Sequence, residues 1–291
     1  MENKYRLTDE TIEFCGVELH RIEALKDFDH IKKGDKGGFV QSENNLSHIG
    51  NCWIFGDAYV FDNAYVFDNA YVCGNVKVCD DAMIYGSAKV SDNAKVFDNA
   101  KVFDNANVFG DAKVFGCAEV FGDASVYGKA EVYYNAKVFD NANVFDNANV
   151  FCDAIIYCSA KVFDNANVFG DAKVFGCAEV FGNAYVYGNA NVFDNANVCG
   201  SVKVCGDTTI RGFAKVSSYS DYIIFKNWWS SMRYFTWTRS NNMWSVGCFY
   251  GTGQELIEKA YKDSELSGRE YKRVVKYVES ILRDENQNQT L

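Results

Sequence analysis

The chain has 291 residues, a formal net charge of −10 and 48% hydrophobic residues, enough for a sizeable core. It has no Pro, so its turns are made by other residues, and its odd number of Cys, 11, argues against a fully paired disulfide framework. No apolar run reaches the roughly 18 residues that a membrane-spanning helix needs, which excludes that class.

The first ten residues, MENKYRLTDE, carry charge without an apolar stretch, so no export signal is expected. Together with the free thiols this predicts a cytoplasmic protein. Residues 1–47 show no regular repeat. Gly34, Gly37 and Gly38 read as a loop, and Val40 and Leu46 hint at an irregular first coil. The segment is expected to be an N-terminal cap, because a repeat rod ends in unpaired strand edge and open core.

From Ile54 to Val216 an aliphatic residue recurs every six positions without a slip, giving 28 hexads. Four residues after each aliphatic stands a small residue, nearly always Ala, as in Val96-Phe97-Asp98-Asn99-Ala100-Lys101. Ala100 and Val102 then point to one side of a short strand, and Lys101 and Phe103 to the other. The Asp-Asn, Gly-Asp and Gly-Asn pairs supply corners, since Gly and Asn tolerate left-handed backbone and Asp can bond its own backbone. A period of six excludes a helix. One such unit cannot bury its own face, so stacked coils must share a Val/Ala core.

This pattern, over residues 48–216, resembles the hexapeptide-repeat family of left-handed parallel β-helices. The resemblance implies a mainly β fold with three hexads per triangular coil, about nine coils in all and a rod of roughly 45 Å at the usual strand spacing. One departure is that Phe, Tyr or Cys stands at position two, where the family often has Gly. Expected domains are therefore a cap at 1–47, a β-helix at 48–219 and a small α+β domain at 220–291.

In the last segment Tyr222-Ile223-Ile224-Phe225 reads as a strand. Tyr234 to Thr238 and Trp244 to Tyr250 read as a hairpin about Ser240-Asn241-Asn242. Two helices follow, announced by the capping boxes Thr252/Glu255 and Ser267/Glu270, the second with an apolar stripe of Tyr271, Val274, Val275, Val278 and Leu282.

Chemistry is harder to find. Many hexapeptide-repeat proteins are acyltransferases with a His base, but His20, His30 and His48 all lie outside the hexads and no loop interrupts them. The pairs Cys73/Cys79, Cys152/Cys158 and Cys199/Cys205 are six apart, on adjacent faces rather than as chelating pairs. No cofactor and no metal is expected. The rod holds 12 basic against 20 acidic residues over 49–219. That is one net charge per roughly 5–6 Å, against one per about 1.7 Å in duplex DNA. Strong DNA mimicry is therefore disfavoured, and direct nucleic-acid binding more so.

Two features invite a binding role. With 18 residues per coil, Phe67, Tyr85, Phe103, Phe121, Phe139, Tyr157, Phe175 and Phe193 form an unbroken column. It reads either as a self-stacking ladder at a corner or as a surface for homo-oligomerisation. The other two columns are interrupted by Cys and Ser. In the tail, Trp228, Trp229, Arg233, Trp237, Arg239, Trp244 and Tyr250 combine residue types common at interface hot spots, or else build a core that seals the rod. Residues 101–122 recur identically at 161–182, an offset that lands the copy on a neighbouring face. A site fixed to one face would not tolerate that, so specificity is expected in the tail or the cap.

The layout resembles phage and prophage hexapeptide-repeat proteins of unknown function. That resemblance implies a cytoplasmic binding role with a protein partner, such as inhibition of a host defence or nucleic-acid-processing system. An acyltransferase and a structural fibre or virion component are the alternatives.

Overall fold

The computed structural model describes residues 3–288. Residues 1–2 and 289–291, the outer ends of the expected cap and tail domain, lie outside the described residues. Each of the 28 hexads contributes one two-residue strand, from β4 (Trp53–Ile54) to β31 (Lys215–Val216). Strands three apart in sequence pair in parallel, so Lys101 and Val102 lie against Glu119 and Val120, 18 residues on. Three parallel ladders result, the walls of a β-solenoid whose inward Val, Ile and Ala side chains are fully buried along its length. The rod has about ten coils rather than nine. The extra coil begins inside the expected cap, where Val40 pairs with Val60 and Leu46 bridges to Val66.

The corners follow from backbone conformation. Asp62, Asp68, Asp98, Asp104 and their equivalents have φ between 55° and 63°. This left-handed region costs most L-residues energy, and Asp is among the few that visit it. The Asp carboxylate has a second role, accepting the backbone N–H one coil on: Gly116 N–H donates to Asp98 Oδ2 at 3.0 Å and Gly182 N–H to Asp164 Oδ2 at 3.0 Å. Asn at the next position donates to the residue 18 further on, as Asn105 Nδ2 does to Asp123 Oδ1 at 3.0 Å. The irregular Asp/Gly order along a corner thus reflects staples between coils.

At the N-terminal end β1 (Tyr5–Phe14) and β2 (Val17–Ala24) form an antiparallel hairpin that continues one wall through β3 (Lys36–Val40). Gly37 and Gly38 lie in β3, contrary to the loop expected there. A Cβ on Gly37 would sit 2.6 Å from Ile54 O, and one on Gly38 2.6 Å from Ala58 O, so close backbone approach rather than turning requires these glycines. Lys4 closes this end, fully buried, with its Nζ donating to Cys52 O at 2.9 Å.

At the other end β32 (Tyr222–Lys226), β33 (Tyr234–Thr238), β34 (Met243–Val246) and β35 (Phe249–Gly251) make an antiparallel sheet. The expected second hairpin arm is two strands, because a turn with Gly247 at φ 55° breaks it. Thr252 caps α1 (Gly253–Asp263) in a reciprocal box with Glu255. The second box does not form. Ser264 Oγ accepts from Ser267 N–H, so α2 (Glu265–Asn288) starts earlier than Ser267, and Glu270 pairs instead with Arg273. The stripe of α2 packs on the sheet as expected.

Candidate functional site

The seven tail candidates divide by burial. Trp237 and Trp244 are core, packed with Phe235, Leu256, Tyr271, Val275 and Val278. Trp237 also donates its indole N–H to Asn242 Oδ1 at 2.9 Å. Arg239 is tied internally, with a two-pronged ion pair to Glu285 and a bond from Nε to Ser220 O. Its charged form is thereby further stabilised, chiefly by the Glu285 contact. The Arg211 guanidinium lies over the Tyr250 ring at 4.7 Å and over Phe193, the last ring of the aromatic column, also at 4.7 Å. All four are thus engaged by contacts within the molecule.

Trp229 is half-buried between Phe235 and Tyr271, its indole N–H enclosed without an acceptor among the described residues. Trp228 stands out, 63% exposed, on the loop joining β32 to β33. The same loop exposes Met232, and the strand after it Tyr234, with Arg233 between them also open. The buried Asn227 side chain holds this loop in shape: its Oδ1 accepts from the Ser230 N–H and hydroxyl, its Nδ2 donates to the Tyr271 hydroxyl, and Met232 adopts φ 56°.

The eight rings from Phe67 to Phe193 stack as one ladder, centroids 4.6–5.2 Å apart and planes within 10°. The spacing is that of the strands, so the backbone sets it. The ring faces are turned to one another, which leaves edges outward. A second ladder runs through Phe97, Phe115, Tyr133, Phe151, Phe169 and Tyr187. A third runs through Phe109, Tyr127, Phe145, Phe163 and Phe181.

The breaks in the shorter ladders are visible in the sequence as Cys and Ser, but what covers them is visible only in the fold. Where Cys79 interrupts the second, Phe14 of the N-terminal hairpin packs against Phe61 and Tyr59 beside it. Where Cys73 and Ser91 interrupt the third, His30 lies over the rod, parallel to Tyr71 at 5.5 Å and to Phe55 at 5.9 Å. Asp29 fixes it by pairing with Nδ1 at 2.8 Å and by accepting the Tyr71 hydroxyl. An open cleft of about 480 Å³ follows, lined by His30, Tyr71, Cys73, Lys89, Ser91, Asn107 and Phe109. His30, outside the hexads in sequence, is thus on the rod in space.

Among the described residues one group has metal-ligand spacing, Asp62, Cys79 and Asp80, within 4.8 Å of one another. Burial and the Asp80 contact push the Cys79 thiol up to about 12, so it keeps its proton and donates to Asp80. His20 lies by Thr8 O, and His48 accepts from Lys4 N–H and stacks on Tyr5. Among the described residues no helix is long and apolar enough to cross a membrane. No family model matches the chain, and no curated protein matches it.

Proposed function

We propose that the chain is a non-catalytic binding scaffold, in which the solenoid is a spacer and the C-terminal sheet and helices form a head that recognises a protein partner. The exposure of Trp228 carries this reading. A Trp that fills no core, beside exposed Met232, Arg233 and Tyr234 on a loop held by internal hydrogen bonds, has the composition and preorganisation of an interface hot spot. The repeated segment 101–122 supports the spacer role, since its copy at 161–182 falls on another wall: β12 (Lys101–Val102) and β22 (Lys161–Val162) belong to different sheets.

The six-residue register and left-handed corners fit the hexapeptide-repeat resemblance, and with it a phage-encoded inhibitor of a host defence or nucleic-acid-processing system acting in the cytoplasm. The outward ring edges of the Phe67–Phe193 ladder favour a second, compatible reading, a homo-oligomer through that column. Binding of a purified partner to wild type and to the double variant Trp228→Ala/Met232→Ala tests the first reading, with a loss of tenfold or more expected. Unchanged affinity rejects the head as the recognition element. Native mass spectrometry tests the second, and a strict monomer at high concentration removes it.

A further inference from the structure

The aromatic ladders are continuous except where a repeat lacks its ring, and three of those rungs are filled or capped by other side chains. Phe14 covers the Cys79 rung. Arg211 ends the longest ladder and is itself covered by Tyr250. His30 and Tyr71 form a parallel cluster with Phe55 at the Cys73 rung. The Ser91 rung differs. On one side Phe109 presents a ring face whose opposite face already carries Tyr127 at 4.8 Å. On the other lie the rings of Tyr71 and His30. From the Tyr71 coil to the Phe109 coil is two strand spacings, about 9.6 Å, the room for one flat ring with a neighbour on each face.

The rim supplies polar groups. Lys89, on the strand leading to Ser91, forms no ion pair among the described residues and borders the cleft together with Asn107. Of the carboxylates on adjoining segments, Asp92 accepts the Gly110 N–H at 3.0 Å, and Asp29 is engaged by His30 and Tyr71. The cation at the rim is therefore open to an anion from outside.

We infer that the Ser91 cleft binds a small planar aromatic or heteroaromatic molecule, which takes the place of the missing ring between Phe109 and the Tyr71/His30 pair and sets an anionic substituent against Lys89. Stacking supplies affinity with little demand on ring identity, since every flat ring offers a π-face. The site lies on the rod, far in sequence from the Trp228 loop, and does not depend on the protein-binding reading.

Calorimetry on the full chain with 2-naphthoate as probe tests this, with two comparison molecules. Decahydro-2-naphthoate keeps the charge and loses the flat ring, and 2-naphthamide keeps the ring and loses the charge. The expected result is binding of 2-naphthoate, at least tenfold weaker binding of the saturated acid, and weaker binding of the amide. Ser91→Phe rebuilds the ladder and should abolish binding while melting no lower than wild type. Should it fold poorly, Phe109→Leu, which removes the stacking floor, should cost at least tenfold. Lys89→Met should bring the acid down to the level of the amide and leave the amide unchanged. No binding at millimolar probe, equal binding of the flat and saturated acids, or undiminished binding by both Ser91→Phe and Phe109→Leu overturns the inference. Acid binding unaffected by Lys89→Met overturns its anionic part.

Discussion

At the residue scale, the corner position shows how one backbone angle decides which side chain is tolerated. Asp98, at φ 58°, relieves the strain with a short polar side chain and accepts the Gly116 N–H. Asp98→Ala should lose both and destabilise by about 1–2 kcal/mol. Tyr134 occupies an equivalent corner at φ 58° with an exposed, bulky ring and accepts no such N–H. Tyr134→Asp places a carboxylate where the Cys152 N–H lies one coil on, and it should stabilise by about 1 kcal/mol. Urea denaturation of the two variants should move the midpoint in opposite directions, and a shift of the same sign in both would separate stability from corner chemistry. The alternation of Val, Ala and corner residues was legible in the sequence because each repeats the same local rule. The use of Asp as a staple was not, because its acceptor role joins residues 18 apart and appears only once coils are stacked.

At the element scale, a two-residue strand has almost no stability of its own, so the ladders of side chains between coils matter. Phe139, mid-column between Phe121 at 4.8 Å and Tyr157 at 5.2 Å, loses two ring contacts on truncation. Phe139→Ala should cost about 2 kcal/mol, less than a fully buried Phe because its edge is open. Phe213→Ala, a ring 74% exposed, should cost little and serves as the control. Equal losses in chemical denaturation would mean that stacking contributes nothing special. The terminal elements were read less well. The N-terminal hairpin pairs strands through a turn at Cys15 and Gly16, which carry φ 51° and 79°, a signal set in irregular sequence. The start of α2 was misplaced because two capping signatures, at Ser264 and Ser267, compete and α1 ends directly on the first. Of the seven tail candidates, sequence alone could not separate Trp228 from Trp237, since hot spots and cores draw on the same residues.

Two tyrosine hydroxyls and one thiol, in the rod and in the C-terminal sheet, shape the response to alkali. Burial pushes the hydroxyl of Tyr222, which donates to Lys203 O at 2.6 Å, up to about 12. Burial and the Asp29 contact do the same for Tyr71, and Cys79 sits as high. The unfolded chain releases these protons nearer pH 9 to 10, before the folded one does, so the folded state binds more protons in that window. Stability is therefore complete below about pH 9 and falls as pH rises toward 12. Thermal midpoints should decline between about pH 9 and 12, and Tyr222→Phe should flatten part of that decline above about pH 10. A profile that rises with pH would contradict the sign.

At the scale of the whole molecule, a solenoid must end, and both ends here are closed by sequence that breaks the repeat. The C-terminal sheet is buried on two sides. Phe235 and Trp237 face the helices, while Thr236 takes the Thr209 N–H at 3.2 Å and Ser240 takes the Lys215 N–H at 2.6 Å. The sheet thus satisfies strand edge that the last coil leaves unpaired, and it lies where Val204, Ile210 and Val216 would otherwise meet water. Removing residues 220–291 therefore does more than delete a recognition surface. It bares an open strand edge over an apolar core, the arrangement that invites end-to-end association. The fragment 1–219 should sediment as higher-order species or precipitate at concentrations where the full chain is well behaved. The Trp228→Ala/Met232→Ala variant, which leaves the rod-facing side of the sheet intact, should match wild type in size and melting temperature. If fragment 1–219 instead sediments as the full chain does, the sheet is not the seal, and Thr236 and Ser240 bond to an end that needs no cover.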